Sequence, residues 1–221
     1  MSILAPIDRE KSLGDLVYDK LKQALMTGLF LPGQKLTVRS VADDLHVSVT
    51  PAREALNKLI DQGALAMPGA KTIVVPQLTV DDLNEIDAIR RSLEGTAAEL
   101  ATPNFKKNEI AKLRRIQAEL QEAMAEGDYR TVLSCNEAFH FGVYRKCGMP
   151  HLIGLIEAQW LRIGPSLNML YPAFALSRRG ISNHADVLDA IERGDSKGVR
   201  AAFEKDIDDG LETLSGALTV S

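Results

Sequence analysis

The chain has 221 residues, room for one large or two small domains with cores of their own, and few aromatics beside abundant alanine and leucine, which suits a mainly α-helical protein. No stretch approaches the uninterrupted apolar length of a membrane span, and Asp8 and Glu10 come too early for a secretory signal, so a membrane protein is excluded and a cytoplasmic one expected. The formal net charge of −4 excludes a uniformly basic nucleic-acid binder, but residues 1–77 hold nine Lys/Arg against eight Asp/Glu, so the acidic surplus lies further along the chain.

Residues 1–10 show no period. Leu13, Leu16, Val17, Leu21, Ala24 and Leu25 then form a helical stripe that Gly28 stops. Leu31 to Gln34 reads as a Pro-Gly turn, with a short strand expected at Lys35 to Thr37. In the next segment Val38, Val41, Ala42 and Leu45 fall at helical spacing, and His46 and Val47 break the pattern. Thr50 followed by Pro51 predicts a hydroxyl N-cap with proline at the first helical position. Ala52, Ala55, Leu56, Leu59 and Ile60 make that helix's buried stripe, leaving Thr50, Arg53 and Asn57 on the solvent side near its N-terminus. A guanidinium and an amide so placed suit phosphates and base edges in a major groove. Ala64 to Met67, a Pro68-Gly69 turn and the β-branched run ending at Val75 predict a hairpin with Lys71 near its tip, a wing. The expected division is a winged helix-turn-helix domain over 1–77 and an all-helical domain over 78–221, joined at Pro76 and Gln77.

From Thr79 onward no strand pattern appears. Thr79 with Asp82 reads as a capping box that opens a first bundle helix, with Leu83, Ile86, Arg90, Leu93, Ala97 and Leu100 on one face, and Pro103 ends it. A second helix runs to Gly127, Asp128 caps a third reaching about Cys147, and Pro150 opens a fourth. Pro172 precedes a fifth, from about Phe174 to Arg193, and a sixth follows Asp195 to about Ser215. Short loops between helices of this length predict an antiparallel six-helix bundle. Cys135 and Cys147 fall in one predicted helix about 18 Å apart, too far to bridge, and read as buried thiols.

Polar residues interrupt the apolar stripes of this bundle. Asn136 and His140 lie one turn apart in the third helix, His184 begins the stripe of the fifth, and Asp206 sits within that of the sixth. A buried polar group without a partner costs roughly 1–3 kcal/mol, so these four are expected to satisfy one another, a water or a bound ion. Nitrogen and oxygen donors from three helices suit a divalent metal, while a hydrogen-bonded structural core remains the alternative. Arg90 faces inward and Gln159 and Arg162 lie near the inward face of the fourth helix. Glu94 is a ready structural partner for Arg90, and the functional reading has Arg90 or Arg162 binding an effector's carboxylate.

The N-terminal part resembles the winged helix-turn-helix of the GntR family of bacterial transcription regulators. The likeness rests on Gly28, Leu31, Pro32, Gly33 and Leu36, on Arg39, Ala42, Leu45, Val47 and Ser48, on Thr50, Pro51, Arg53, Glu54, Ala55, Leu56, Leu59 and Gly63, and on Gly69. His46 stands where that family usually has glycine, and Val49 where an arginine commonly contacts DNA. The resemblance implies DNA contacts from Arg39, Thr50 and Arg53, with Gly69 and Lys71 of the wing on minor groove or backbone, and Ser48 and Asn57 are counted as DNA-binding candidates beside them. Residues 79–221 resemble the helical effector domain of the FadR subfamily, of its six-helix VanR-like branch, in which an aspartate and three histidines often hold a metal. Asn136 to His140 matches Asp-x-x-Phe-His with Asn for Asp, His184 matches the second histidine, and Asp206 stands at the third. One carboxylate is lost and one gained, so a divalent ion is still implied, with manganese, iron or nickel gaining over zinc as the ligands harden. The resemblance further implies a homodimer on a double-stranded inverted-repeat operator, a repressor more often than an activator, answering a small carboxylate effector. The alternatives are a metal-dependent enzyme using the bundle site, disfavoured because no general base or nucleophile stands beside it, and a metal-free regulator with a structural polar core.

Overall fold

The computed structural model describes residues 11–69, 72–170 and 179–220. Lys71, Pro172 and the expected start of the fifth bundle helix lie outside them. The head comprises α1 (Leu13–Met26), α2 (Val38–Asp44) and α3 (Val49–Asp61) with strands β1 (Lys35–Leu36), β2 (Ala66–Gly69) and β3 (Thr72–Val74). The sheet order is β1-β3-β2 and both pairings are antiparallel, with Lys35 opposite Val74 and Leu36 opposite Ile73. The expected wing therefore forms, and the short strand before α2 completes it.

Val17, Leu21 and Leu25 of α1 pack on Ala52, Ala55, Leu56 and Leu59 of α3, while Val41 and Ala42 of α2 close the core. Leu13 and Leu16, expected on the buried stripe, are exposed. The start of α3 also differs from expectation. Ser48, not Thr50, occupies the cap position, without a side-chain cap bond, and Pro51 lies in the first turn rather than at its first residue. Proline is tolerated there because the first-turn N–H groups have no helical acceptor in any case. The turn between α2 and α3 passes through His46 at φ +53°, the left-handed conformation that glycine adopts without strain. The glycine usual at this place in the family thus has a backbone cause.

The bundle comprises α4 (Val80–Ala101), α5 (Lys107–Glu126), α6 (Tyr129–Tyr144), α7 (Pro150–Ile163), α8 (Arg179–Glu192) and α9 (Ser196–Val220). The Thr79–Asp82 capping box is present at α4, and α5 ends at Gly127 in the left-handed conformation (φ +74°). Two ends differ. The α6 helix stops at Tyr144 and a 3-10 turn continues to Cys147, while α9 runs past Ser215 to Val220. Both cysteines are free, Cys135 buried and Cys147 half-buried. Among the described residues, no helix is long and apolar enough to cross a membrane.

Head and bundle meet at α1. Gly28 follows that helix at φ +65°, and its carbonyl accepts from the Asn168 amide. Gly164, at the end of α7, leaves room for this approach, since a Cβ there would lie 2.9 Å from Met26 Cα. Gln23 Nε2 donates to Glu137 Oε2 of α6 at 3.1 Å, and Lys22 pairs with Glu157 of α7.

Candidate functional site

Two surfaces carry the chemistry expected from the sequence. On the head, Ser48, Val49, Thr50, Arg53 and Asn57 are all exposed, and positions 49, 53 and 57 follow one another at single-turn spacing along α3. Arg39 is exposed on α2, and Gly69 is exposed at the end of β2. An exposed helix side of this kind, with exposed residues on neighbouring elements, suits entry of a helix into a major groove while those elements meet the backbone. Val49 presents a methyl surface instead of a guanidinium.

The second surface is internal. His140, His184 and Asp206 each bring one ligand atom to a point, all three lying within 4.8 Å of one another. The two imidazole Nε2 atoms are 3.1 Å apart, and Asp206 Oδ2 is 3.3 Å from His140 Nε2. Asn136 is half-buried and lines the same cavity as His140 and Asp206.

Surrounding bonds fix which protons are present. Gln117 Nε2 donates to the Ile181 carbonyl, so its Oε1 faces His184 Nδ1 at 2.7 Å and accepts from it. The His184 proton is therefore on Nδ1 and the Nε2 lone pair points at Asp206 and His140. Burial pushes the His184 pKa down to about 3, which keeps the ring neutral. Its face is stacked on Phe139, with ring centroids 4.0 Å apart. His140 is the opposite case. Tyr144 Oη gives its single proton to Glu94 Oε2 at 2.6 Å, so it accepts from His140 Nδ1 at 2.9 Å. His140 Nε2 meanwhile faces two acceptors, the His184 lone pair and Asp206. Both nitrogens carry protons in this arrangement. Burial opposes that charge, but Asp206 against Nε2 and the nearby negative charge of Glu94 outweigh it and raise the His140 pKa. Burial likewise works against the Asp206 carboxylate, yet its bonds to His140 and the neighbouring charges hold its pKa down to about 2.

Arg90 lies beside this cluster, in the place expected from its stripe. Its Nε is 2.6 Å from Glu94 Oε1, and Glu94 Oε1 also accepts from Trp160 Nε1 at 3.0 Å. The structural partner foreseen for Arg90 is thus in place, while Arg90 still lines the cavity together with Asp87, Asn136, His140 and Asp206. Burial raises the Asp87 pKa. Gln159 and Arg162 do not line this cavity, and Gln159 Oε1 is buried without a hydrogen-bond partner among the described residues. Sequence reasoning missed Gln117, Tyr144, Asp87 and Trp160. Gln117 had a readable signal, a polar residue between Leu113 and Leu120 on the apolar face of α5.

A winged helix-turn-helix head on an all-helical bundle is the build of a two-domain bacterial transcription regulator. Residues 13–75 match the bacterial regulatory proteins of the gntR family, and residues 85–209, more than half of the chain, match the FCD domain. The chain is 36% identical over 186 residues to the HTH-type transcriptional regulator McbR of Escherichia coli, covering 83% of this chain and 84% of that protein. The solved structure of E. coli McbR/YncC superposes with a TM-score of 0.87 at 33% identity, over 94% of this chain and 99% of that one. The Nta operon transcriptional regulator of Aminobacter aminovorans is 29% identical over 191 residues, 86% of this chain and 90% of that one. The chain belongs to the GntR family of bacterial regulatory proteins, with an FCD domain as its helical part.

Proposed function

We propose that this chain is an effector-responsive repressor of the FadR subfamily that works as a homodimer, its head (1–77) reading one half of an inverted repeat and its bundle (78–221) sensing a small organic acid. The observation that carries the reading is the convergence of the His184 Nε2 lone pair on His140 and Asp206, two residues that line a cavity bordered by Arg90. His140, His184 and Asp206, with Asn136 beside them, would hold a divalent cation, manganese, iron, nickel or zinc. Gln117 presets the His184 tautomer that such a ligand needs, and the His140 Nε2 proton would be the one to leave. Exchanging one proton for a divalent ion adds one positive charge to the cavity, which an effector's carboxylate neutralises. Arg90, with part of its guanidinium on Glu94, supplies further positive charge on the cavity wall.

Transmission has a short route. Glu137, next to Asn136 on α6, accepts from Gln23 of α1, and α1 backs the reading helix. A ligand that favours one placement of α1 by 1–3 kcal/mol changes operator affinity about 5- to 150-fold. A near-neutral head needs two copies for useful affinity, which favours the dimer. On the head, we assign Arg39, Arg53 and Asn57 to base edges or nearby phosphates, Ser48 and Thr50 to phosphates, and Gly69 with Lys71 to the wing contact. The test is metal analysis of gently purified protein with melting in the presence of a chelator. Near-stoichiometric metal and a lower melting temperature on chelation are expected. No ion and no shift would instead support a metal-free regulator, a reading favoured by the closed proton count of His140, Asp206 and Tyr144.

A further inference from the structure

The polar cluster occupies only one end of its cavity. Along α9, Asp206 is followed by Leu211 and Leu214, and along α4, Arg90 is preceded by Leu83, so the wall changes from charged to aliphatic in one direction. At that apolar end the cavity abuts a second, roomier one of about 570 Å³. Leu83 and Leu214 wall both. The second cavity is lined beyond Leu214 by Leu218 and Met169, and also by Leu78 and Thr79 of the segment between head and bundle. At about 1.5 Å per helical residue, Leu214 lies about 12 Å and Leu218 about 18 Å beyond Asp206 along α9.

We infer that the effector is an amphipathic monocarboxylate, its acid head at the Arg90–His140–Asp206 end and a hydrocarbon tail running past Leu83 and Leu214 into the cavity beneath the linker. This rests on the carboxylate reading of the polar end and adds the tail. A short acid fills the polar end alone. A long one also buries its chain against Met169 and Leu218 and bears on Leu78, so tail length decides both affinity and how far the linker is displaced. The exposed Gln77 and Thr79, which also line the second cavity, leave the tail's terminus near solvent, which tolerates a small polar group there.

Isothermal calorimetry of the full chain with butanoate, octanoate and dodecanoate tests this. Affinity is expected to rise at least about tenfold from butanoate to dodecanoate, as each buried methylene adds to binding. Met169→Trp and Leu218→Trp, which fill the second cavity without touching the polar end, should bring dodecanoate to within about twofold of butanoate while leaving butanoate unchanged. Butanoate and dodecanoate binding equally to the unaltered chain would overturn the tail alone. Absence of binding by every acid would overturn the carboxylate reading and the tail with it. A length preference that survives both tryptophan variants would place the tail elsewhere and also refute the inference.

Discussion

Glu94→Gln is the substitution that most directly probes how the bundle tolerates so much buried charge. Glu94 is 0% exposed and accepts from Arg90, Tyr144 and Trp160. Burial alone would raise its pKa, but the Arg90 charge first, with the nearby His140 and the Arg90 hydrogen bonds, lowers it below the usual carboxylate value. The amide keeps the shape and removes the charge, leaving the Arg90 guanidinium buried without a counter-ion. Breaking a buried pair in this way costs about 3–5 kcal/mol. With an m-value of about 3 kcal/mol per molar urea, the unfolding midpoint should fall by about 1–2 M at fixed protein concentration. Trp160, the single tryptophan, reports from the place itself, with the Arg90 guanidinium 5.1 Å from its ring. Replacing both partners, as Arg90→Met with Glu94→Leu, should recover most of the loss because no lone charge remains. A midpoint shift below about 0.3 M for Glu94→Gln, or a double variant no better than the single, would refute the reasoning.

Arg53→Ala should weaken specific operator binding by about 5- to 150-fold in a gel-shift titration, the worth of one good base contact, and a change within about twofold would remove Arg53 from the interface. Gln117→Leu touches no candidate ligand atom yet frees the His184 tautomer, so metal affinity measured against a competing chelator dye should drop about 10- to 100-fold. The pH dependence of stability has opposing parts. His184 has a folded pKa of about 3, below its ordinary 6.5, so its contribution is lost as pH falls from 6.5 toward 3. The raised pKa of His140 acts the other way, stabilising at low pH and fading as pH rises through its folded value. A denaturation midpoint that falls on acidification below pH 6.5, with a shallower fall in His184→Gln, is the expected result. At Gly164, a valine's Cβ would run into the Leu25 carbonyl and lie 2.9 Å from Met26 Cα, so Gly164→Val should part α1 from the bundle. Its head should still bind DNA, with the ligand response reduced, as read by anisotropy of a labelled operator.

The helices of the head and bundle were legible because apolar spacing and the Gly, Pro and capping residues agree at nearly every boundary. The misplaced cap at Thr50 shows the limit of local rules: proline is accepted anywhere in a first turn, so Pro51 does not say which residue precedes it. The exposed Leu13 and Leu16 show another, since a stripe gives a face but not the width its neighbours cover. In the polar centre, His140, His184 and Asp206 announced themselves as polar residues on apolar faces. Glu94 was readable from Arg90 one turn away. Tyr144 and Trp160 were not, because their roles arise only when α4, α6 and α7 set their mutual register, and side-chain direction between helices leaves no one-dimensional pattern. That Leu83 and Leu214 line two neighbouring cavities at once likewise exists only in three dimensions.

The central claim is that occupancy of the bundle's polar cavity sets how tightly the head holds its operator. The direct measurement selects bound fragments from the source genome, then titrates the recovered operator by fluorescence anisotropy, with and without a divalent metal and a monocarboxylate, for the unaltered chain and for Asp206→Ala. The account predicts an affinity change of about fivefold or more in the unaltered chain and none in the variant. An operator affinity indifferent to ligand in both, or changing equally in both, would contradict it.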